Sequence, residues 1–547
     1  MNGAELFVKC LEAEGVERIY GVPGEENADF MMALEDSHID FVLCRHEQAA
    51  AFMADVEGRL TGKPGVCLGT LGPGATNLVT GVADANMDRA PLIVITGQAD
   101  THRQHKESHQ NMDVVAMFGP MTKWATPILH PDNIPEIIRK AFKIATTEKP
   151  GAVHIELAEN VAEMEATGVP LEPRVNRRPV PADKVVDQAM ELLRTAKNPI
   201  ILAGNGAIRK RSSKMLRDFC KSTGIGVINT FMGKGAVARD DEHCLYTVGL
   251  QSRDMAMCAI DEADVVLSLG YDLVEYHPRL WNAKGDKKII HVDFLPAEVD
   301  ANYFVSVEVV GDIAHALWMM NERVKTEPMK FDLPLQRRVR EELTADFAIE
   351  KDDDSDLVKP QKVLWDVREA MGSSDILLSD VGAHKMWVAR YYQCDEPNTC
   401  LISNGFCTMG FAMPGAIGAK INFPEKKVLA ICGDAGFLMN VQELETAKRI
   451  GANIVVMVWE DNEYGLIAWK QKASFGKCVD LKFDNPNFVG LAESFGWKGI
   501  QVKNSAGVAP ALAEAFAHDG PTLIAVPIDY DENMKLSERL GNIACPI

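Results

Sequence analysis

The sequence predicts an α/β chain of three doubly wound parallel-sheet domains, and three observations support this. Short apolar runs recur, bounded by Gly, Pro, Asp or Asn: FVLC (41–44), GVCLG (65–69), PLIVITG (91–97), PIILAG (199–204), DVVLSLG (264–270), KIIHVD (288–293), KVLAICGD (427–434) and NIVVMVWED (453–461). Runs of this kind, rich in β-branched residues, read as strands buried on both faces. Helical patterns separate them, which implies βαβ units with helices packed over parallel sheets. Two breaks in composition then divide the 547 residues into three segments.

The first break is GVPLEPRVNRRPVPAD (168–183), with four prolines and no apolar period. The second runs from about residue 325 to 360. It holds a charged stretch, Gln336 to Glu350, expected to be helical, and then KDDDSD (351–356). Such segments are solvated connections. The domains expected are residues 1–170, 182–325 and 358–535. No repeat of 20–50 residues is evident, and the tail 534–547 carries no pattern that assigns it a role.

Lys and Arg total 57 and Asp and Glu 78, a net charge of −21. An acidic chain repels phosphate backbones and anionic lipid surfaces, so neither nucleic acid nor a membrane is an expected partner. No apolar run approaches the roughly 18–20 residues of a bilayer span. Charges at Glu5 and Lys9 interrupt any secretory signal. The 12 cysteines form no C-x-x-C pair, and several, such as Cys67 and Cys432, sit in apolar runs. Buried, reduced thiols of a cytoplasmic protein are expected, without a structural zinc site.

The segment 427–447, KVLAICGDAGFLMNVQELETA, reads as strand, turn and helix. The strand ends at Gly433–Asp434, and the helix is expected to start near Phe437. Asp434 then lies at the carboxyl end of a strand, in the crevice where open α/β sheets bind ligands. The adjacent helix N-terminus attracts phosphate, and Gly436 permits close backbone approach. A second strand ends at Asp461–Asn462, one helix and one return strand later. Singly, Asp434 and Asn462 read as helix caps or turn formers. As a spaced pair on two strand ends they read as a site. A carboxylate, an amide oxygen, a carbonyl and two diphosphate oxygens make a hard-oxygen octahedron suited to Mg²⁺.

Near the start, RHEQAAAFMADVEGRLTGKPGVCLGTLGPGATNL (45–78) places Glu47 in the first turn of a helix. A Glu there is ordinarily a partner of the helix dipole. Gly72 and Gly74 flank Pro73 in a tight turn.

GDA (433–435) followed by DN (461–462) resembles the GDG and NN signature of thiamine-diphosphate enzymes. HEQAAAFMA, GTLGPGATN, DVGAHKMW (380–387) and SNGFCTMGFAMPGAIGA (403–419) resemble the acetolactate synthase family. HQNMD (109–113) and GYDLVEYHPRLWN (270–282) are most similar to its catabolic form. The resemblance covers nearly the whole chain. It implies pyrimidine-binding, middle and diphosphate-binding domains, in that order. It implies Mg²⁺ held by Asp434, the Asn462 side chain and the Tyr464 carbonyl. Gly382, Ala383, His384, Gly433, Ala435, Gly436 and Phe437 would line the diphosphate. Met409 would be the apolar wedge beneath a bent cofactor, with backbone groups of Cys407 and Met409 at its aminopyrimidine. Gly72 lies in the loop that approaches from the other domain. Glu47 would activate the cofactor at a pyrimidine nitrogen, and Gln110 would be a polar contact near cofactor and substrate. The departures are Ala435 for Gly, Asp461 for Asn, and Cys407 where Gly is more frequent. None removes a metal ligand.

The activity implied is that of an acetolactate synthase. Pyruvate or a related 2-keto acid is decarboxylated and its two-carbon fragment joined to a second 2-keto acid, releasing 2-acetolactate and carbon dioxide. A 2-keto acid decarboxylase or another carboligase on the same scaffold is the alternative. Simple decarboxylases of this kind carry an adjacent His-His pair and a Glu six residues after the metal Asn; here the pair is absent and the second position is Ala468. Because the superfamily assembles each site from two subunits, a homodimer is the minimum and a homotetramer is expected. Nothing in the sequence specifies a regulatory subunit. FAD, bound by the middle domain of biosynthetic relatives, is not expected to be required. Lys234 in MGKG (232–235) is a candidate partner for a substrate carboxylate. GNGAIRK (204–210) falls short of G-x-G-x-x-G, so a nicotinamide dehydrogenase is a weaker reading, as is a non-catalytic binding scaffold. A metal site at His102, His105 and His109 is also weaker, since that spacing needs a helix.

Overall fold

The computed structural model describes residues 1–174, 177–209, 211–249 and 254–541. Lys210, the last residue of GNGAIRK, and tail residues 542–547 lie outside the described residues.

Among the described residues, eighteen strands form three six-stranded sheets, and every strand pair is parallel. The first sheet comprises β1 (Arg18–Gly21), β2 (Asp40–Leu43), β3 (Gly65–Gly69), β4 (Leu92–Gln98), β5 (Trp124–Pro127) and β6 (Ala152–Ala158). The second comprises β7 (Pro199–Ala203), β8 (Val227–Asn229), β9 (Cys244–Thr247), β10 (Val265–Leu269), β11 (Lys288–Asp293) and β12 (Val305–Val310). The third comprises β13 (Ile376–Ser379), β14 (Cys400–Ile402), β15 (Val428–Gly433), β16 (Val455–Glu460), β17 (Lys498–Gln501) and β18 (Thr522–Pro527). Central strands such as β4 and β6 are buried along their whole length, as expected of sheets covered by helices on both faces.

The strand orders are β2-β1-β3-β4-β6-β5, β12-β11-β10-β7-β8-β9 and β14-β13-β15-β16-β18-β17. Counted within each sheet, the first and third orders are identical. The outer two domains are thus the same fold built from dissimilar sequence. In both, the chain turns outward in opposite directions between the first and third strands, which opens a crevice at their carboxyl ends.

The outer domains meet through two helices. Glu47–Thr61 packs on Ala412–Asn422, and small side chains let the backbones approach. A Cβ added at Gly418 would lie 2.7 Å from the Met53 carbonyl oxygen. Phe52 meets Phe411 edge-on at 5.7 Å. Beside this seam Arg59 pairs with three buried carboxylates: Asp55 at 2.7 Å, Asp84 at 3.1 Å and Asp88 at 3.0 Å. Asp84 accepts from the Ser403 hydroxyl at 2.6 Å, and Asp88 from the Asn404 and Gly405 N–H groups at 2.9 and 2.6 Å. First-domain carboxylates therefore anchor a loop of the third domain.

Three local expectations are corrected. The charged helix spans Pro334–Phe347, beginning earlier than expected because Pro334 presets the first helical turn. The helix after β15 starts at Asp434 itself, with Gly433 as its extended cap, rather than near Phe437. Not every thiol is buried and reduced: Cys407 is exposed on a turn, and Cys258 is disulfide-bonded. Among the described residues, no helix is long and apolar enough to cross a membrane.

Candidate functional site

A cavity of about 230 Å³ opens at the carboxyl ends of β13 to β16 and β18. Val381, Gly382, Ala383 and His384 line it after β13, Cys407 and Met409 after β14, and Gly433, Asp434, Ala435 and Gly436 after β15. Asp461, Glu463, Tyr464 and Gly465 follow β16, and Tyr530 follows β18.

Gly382 and Gly436 leave the space that side chains would fill. A Cβ at Gly382 would lie 2.6 Å from His384 Cε1, and one at Gly436 2.6 Å from Asp380 Oδ2. His384, in the first turn of the helix Ala383–Tyr391, is buried with Nε2 unpartnered. Burial pushes its pKa down to about 3, so the ring is neutral at physiological pH.

Asp434 is the hub. Its Oδ1 accepts from the Ala435 N–H at 2.7 Å, and Oδ2 from the Asn462 and Asp461 N–H groups at 2.8 and 3.2 Å. The ends of β15 and β16 therefore meet at one carboxylate. Asn462 adopts a left-handed φ of 56°, which Asn tolerates better than most residues. Its carbonyl accepts from Phe483 at 3.1 Å, while the Tyr464 N–H reaches the Leu481 carbonyl at 3.1 Å. These bonds fold residues 481–485 across the site and deliver Asn485, whose Nδ2 donates to Asp434 Oδ2 at 2.6 Å. Tyr464 starts the helix Gly465–Phe475, and its carbonyl accepts from Ala468 at 2.9 Å. Burial, and then the Asp434 charge, push the Asp461 carboxyl up to about 8.

A second cluster lies in the first domain. His46 caps the helix Glu47–Thr61 through its ring, placing Glu47 in the first turn, buried. Asn77 Nδ2 donates to Glu47 Oε2 at 2.9 Å. A Cβ at Gly74 would stand 3.3 Å from Glu47 Oε1, so the glycine leaves that oxygen uncovered. Gly72, with φ 52°, caps the helix Pro73–Met87. A Cβ there would lie 2.9 Å from the Gln110 carbonyl oxygen. Glu47, Gly72 and Gln110 thus sit near the same turn. Among the described residues, none from the first domain lines the third-domain cavity.

Other expected residues lie elsewhere. Lys234 is buried away from the cavity, donating to the Ala389 carbonyl at 2.9 Å and to Thr247 Oγ1 at 3.2 Å. The segment of His102, His105 and His109 runs in turns rather than helix. No group of three His, Cys, Asp or Glu residues among those described is placed to hold a metal. The residues that sequence reasoning missed are Asn77, Asn485 and Tyr530. Two of them carried a signal: Asn77 closes the quoted motif GTLGPGATN, and Tyr530 stands just past an apolar run.

Residues 1–117, 186–320 and 380–526 match, in order, the N-terminal TPP binding, central and C-terminal TPP binding domains of the thiamine pyrophosphate enzymes. The chain is 35% identical to the acetolactate synthase of Bacillus subtilis (strain 168) over 98% of this chain and 95% of that protein. It is 34% identical to the catabolic acetolactate synthase of Raoultella terrigena, over 98% and 97% of the two chains. It is 36% identical to a probable acetolactate synthase large subunit of Methanocaldococcus jannaschii, over 100% and 96%. This chain belongs to the acetolactate synthase family of thiamine pyrophosphate enzymes. The motif resemblance is thereby borne out, and the three sheets are the three domains of that family. In acetolactate synthase terms, the 230 Å³ cavity lies in the C-terminal TPP binding domain and the Glu47 cluster in the N-terminal one.

Proposed function

We propose that this chain is an acetolactate synthase that binds thiamine diphosphate with Mg²⁺ and joins two 2-keto acids, pyruvate being the donor, with loss of carbon dioxide. The observation that carries the reading is the cavity at the crevice of the third sheet, whose walls include Gly382, His384, Asp434 and Gly436.

The residues fit the group. The unpartnered Nε2 of His384 and the unpartnered Oδ1 of Asn485 are buried polar atoms suited to a polar ligand. The glycines leave room for a diphosphate. Asp434, the Asn462 amide and the Tyr464 carbonyl offer hard oxygens of low total charge, the donor set Mg²⁺ takes when phosphates complete its shell. Bound there, thiamine diphosphate supplies the carbon nucleophile and takes up the electrons that carbon dioxide leaves behind.

This chain's residues supply orientation and proton control. Glu47 would share a proton with the pyrimidine through the oxygen that Gly74 leaves uncovered, while Asn77 fixes the other. Neutral His384 offers a ring nitrogen to a phosphate oxygen without repelling Mg²⁺. Met409, which lines the cavity, would support the cofactor as an apolar wedge. The wall of Leu466 and Ile467, with buried Ala468 behind, is apolar where simple decarboxylases carry a Glu. An apolar wall there would favour capture of the two-carbon fragment by a second keto acid over its protonation.

The two half-sites lie in different domains, and exposed Phe406, Met439, Tyr464 and Ile467 occur on the segments around the cavity. We read this as the seat of a second copy, so that Glu47 of the partner subunit completes the cavity in a homodimer, two of which form a homotetramer. Gln110 would reach the substrate from the same side. Among the described residues ten cysteines are free thiols, most of them buried, which suits a reducing, cytoplasmic compartment, with disulfide-bonded Cys258 the exception.

FAD is read as not required: in the turn after β7 the Asn205 N–H already binds the half-buried Glu275 carboxylate at 3.0 and 3.1 Å, and Asp272 N–H and Thr230 bind Glu275 as well. The test is a pyruvate assay with thiamine diphosphate and Mg²⁺, with and without FAD, measuring acetolactate and acetaldehyde separately. Acetolactate as the main product, unchanged by FAD, supports the reading; mainly acetaldehyde makes the protein a decarboxylase.

A further inference from the structure

We propose that Asp380 and Asn440 are positioning residues that grip the two backbone polar groups of Gly410 and thereby hold Met409 in the cavity. The inference rests on the thiamine-diphosphate reading of that cavity.

Asp380 follows β13 and is fully buried. Its Oδ2 accepts from the Gly410 N–H at 3.1 Å, and its Oδ1 from the Phe411 and Val381 N–H groups at 3.3 and 2.9 Å. Asn440, also buried, follows the short helix Asp434–Leu438, and its Nδ2 donates to the Gly410 carbonyl at 2.7 Å. Gln442 Nε2 donates to Asn440 Oδ1 at 3.2 Å, fixing the amide's orientation. Gly410 is thus held at its N–H by the residue that follows β13 and at its carbonyl by a residue just past the helix Asp434–Leu438.

The turn needs such a grip. Cys407 and Gly410 both have left-handed φ values, 57° and 83°, and a non-glycine residue in that region costs energy that the surroundings must offset. A Cβ at Gly410 would lie 2.8 Å from Asn440 Nδ2. Asp380 also lies directly under the cofactor crevice: the Cβ position of Gly436 that is 2.6 Å from Asp380 Oδ2 is 3.7 Å from Met409 Cε. Three N–H groups converge on the two carboxylate oxygens. An amide in its place would turn an NH₂ toward one of them, so a neutral isostere cannot make the same grip. Burying a carboxylate among N–H donors carries a desolvation cost, and burial pushes this one up to about 7.

The test is a pair of double-mutant cycles on the full-length enzyme, Asp380→Asn with Met409→Ala and Asn440→Ala with Met409→Ala. Thiamine diphosphate with Mg²⁺ is the probe. Readouts are kcat, pyruvate KM, cofactor affinity by tryptophan quenching and the near-UV dichroism of the bound cofactor. Asp380→Asn is expected to lower kcat at least about tenfold, with KM and cofactor affinity within about threefold and the dichroism altered. In the Met409→Ala background the same change should add little, because the wedge it positions is gone. Asn440→Ala should act in the same direction, and its cycle decides the matter alone if Asp380→Asn does not fold. Losses that multiply independently of Met409, or a fall in cofactor affinity with unchanged dichroism, overturn the positioning role while leaving the functional reading intact. A wild-type protein that does not take up thiamine diphosphate overturns both.

Discussion

Asn485 donates a 2.6 Å hydrogen bond from Nδ2 to Oδ2 of Asp434, a residue 51 positions earlier in the chain. The bond closes a ring of donors around one carboxylate, and its amide oxygen is buried without a partner. An amide so placed orients the carboxylate from behind. Groups that orient metal ligands in this way typically matter about 10–100-fold to affinity. Asn485→Leu should therefore weaken Mg²⁺ by that factor in a titration of cofactor binding, with little change in melting temperature of the cofactor-free protein. Unchanged Mg²⁺ affinity would count against Asp434 as the metal anchor.

Glu47 is held by Asn77 at one oxygen and left open at the other. Glu47→Gln preserves shape and the neighbouring hydrogen bond but removes the exchangeable proton. Proton transfer by a placed side chain is worth about 10²–10⁴ in rate. The kcat for acetolactate should fall by that order while thiamine diphosphate still binds, as read by parallel steady-state and quenching measurements.

Arg59 is set among Asp55, Asp84 and Asp88 at the seam of the outer domains and pairs with all three. Arg59→Met leaves buried carboxylates uncompensated, a change that costs about 3–5 kcal/mol. Burial already raises the Asp55 and Asp84 carboxyls. A raised carboxyl keeps its proton in the folded state, so the stability linked to it is present at low pH and lost as pH rises. The variant should lose more in denaturant unfolding at pH 8 than at pH 5.

His154 lies in the first-domain core, its Nε2 2.8 Å from Thr96 Oγ1 and its ring stacked on Phe118. Burial pushes its pKa down to about 3. Below the ordinary value of about 6.5 the unfolded chain takes up a proton that the folded chain refuses. The stability linked to this group is thus full above pH 6.5 and falls toward pH 3, at up to about 1.4 kcal/mol per pH unit. His154→Gln should flatten the acid limb of the unfolding profile by about that slope.

The architecture was legible where chemistry was local. All eight apolar runs became strands, because burial on both faces imposes an apolar code that needs no tertiary information. Among the strands not anticipated, β5 (WATP) and β17 (KGIQ) are half-buried edge strands with mixed composition, whereas β6 (AVHIELA) and β18 (TLIAVP) are buried inner strands that share the apolar code but were not singled out. The Asp434–Asn462 pairing was readable because both residues end strands that neighbour each other in sequence. Asn485 was not, since it arrives on an irregular loop whose path is set by the Tyr464–Leu481 and Asn462–Phe483 bonds. Lys234 looked available in sequence, yet the Ala389 carbonyl occupies it. Nor did composition reveal that the outer sheets share one strand order, because topology is conferred by crossovers rather than by any repeated motif.

The central claim, that Glu47 and Asp434 serve one site from different subunits, is tested most directly by subunit mixing. Glu47→Gln and Asp434→Ala proteins are each inactive on this account. Dissociated and reassembled together, their mixed dimers contain one site with both native carboxylates and one with neither. Activity should return toward roughly a quarter of the wild-type value, the statistical share of intact sites in a two-fold dimer. A reassembled mixture as inactive as its parents, with mixed dimers demonstrated by mass, would contradict it.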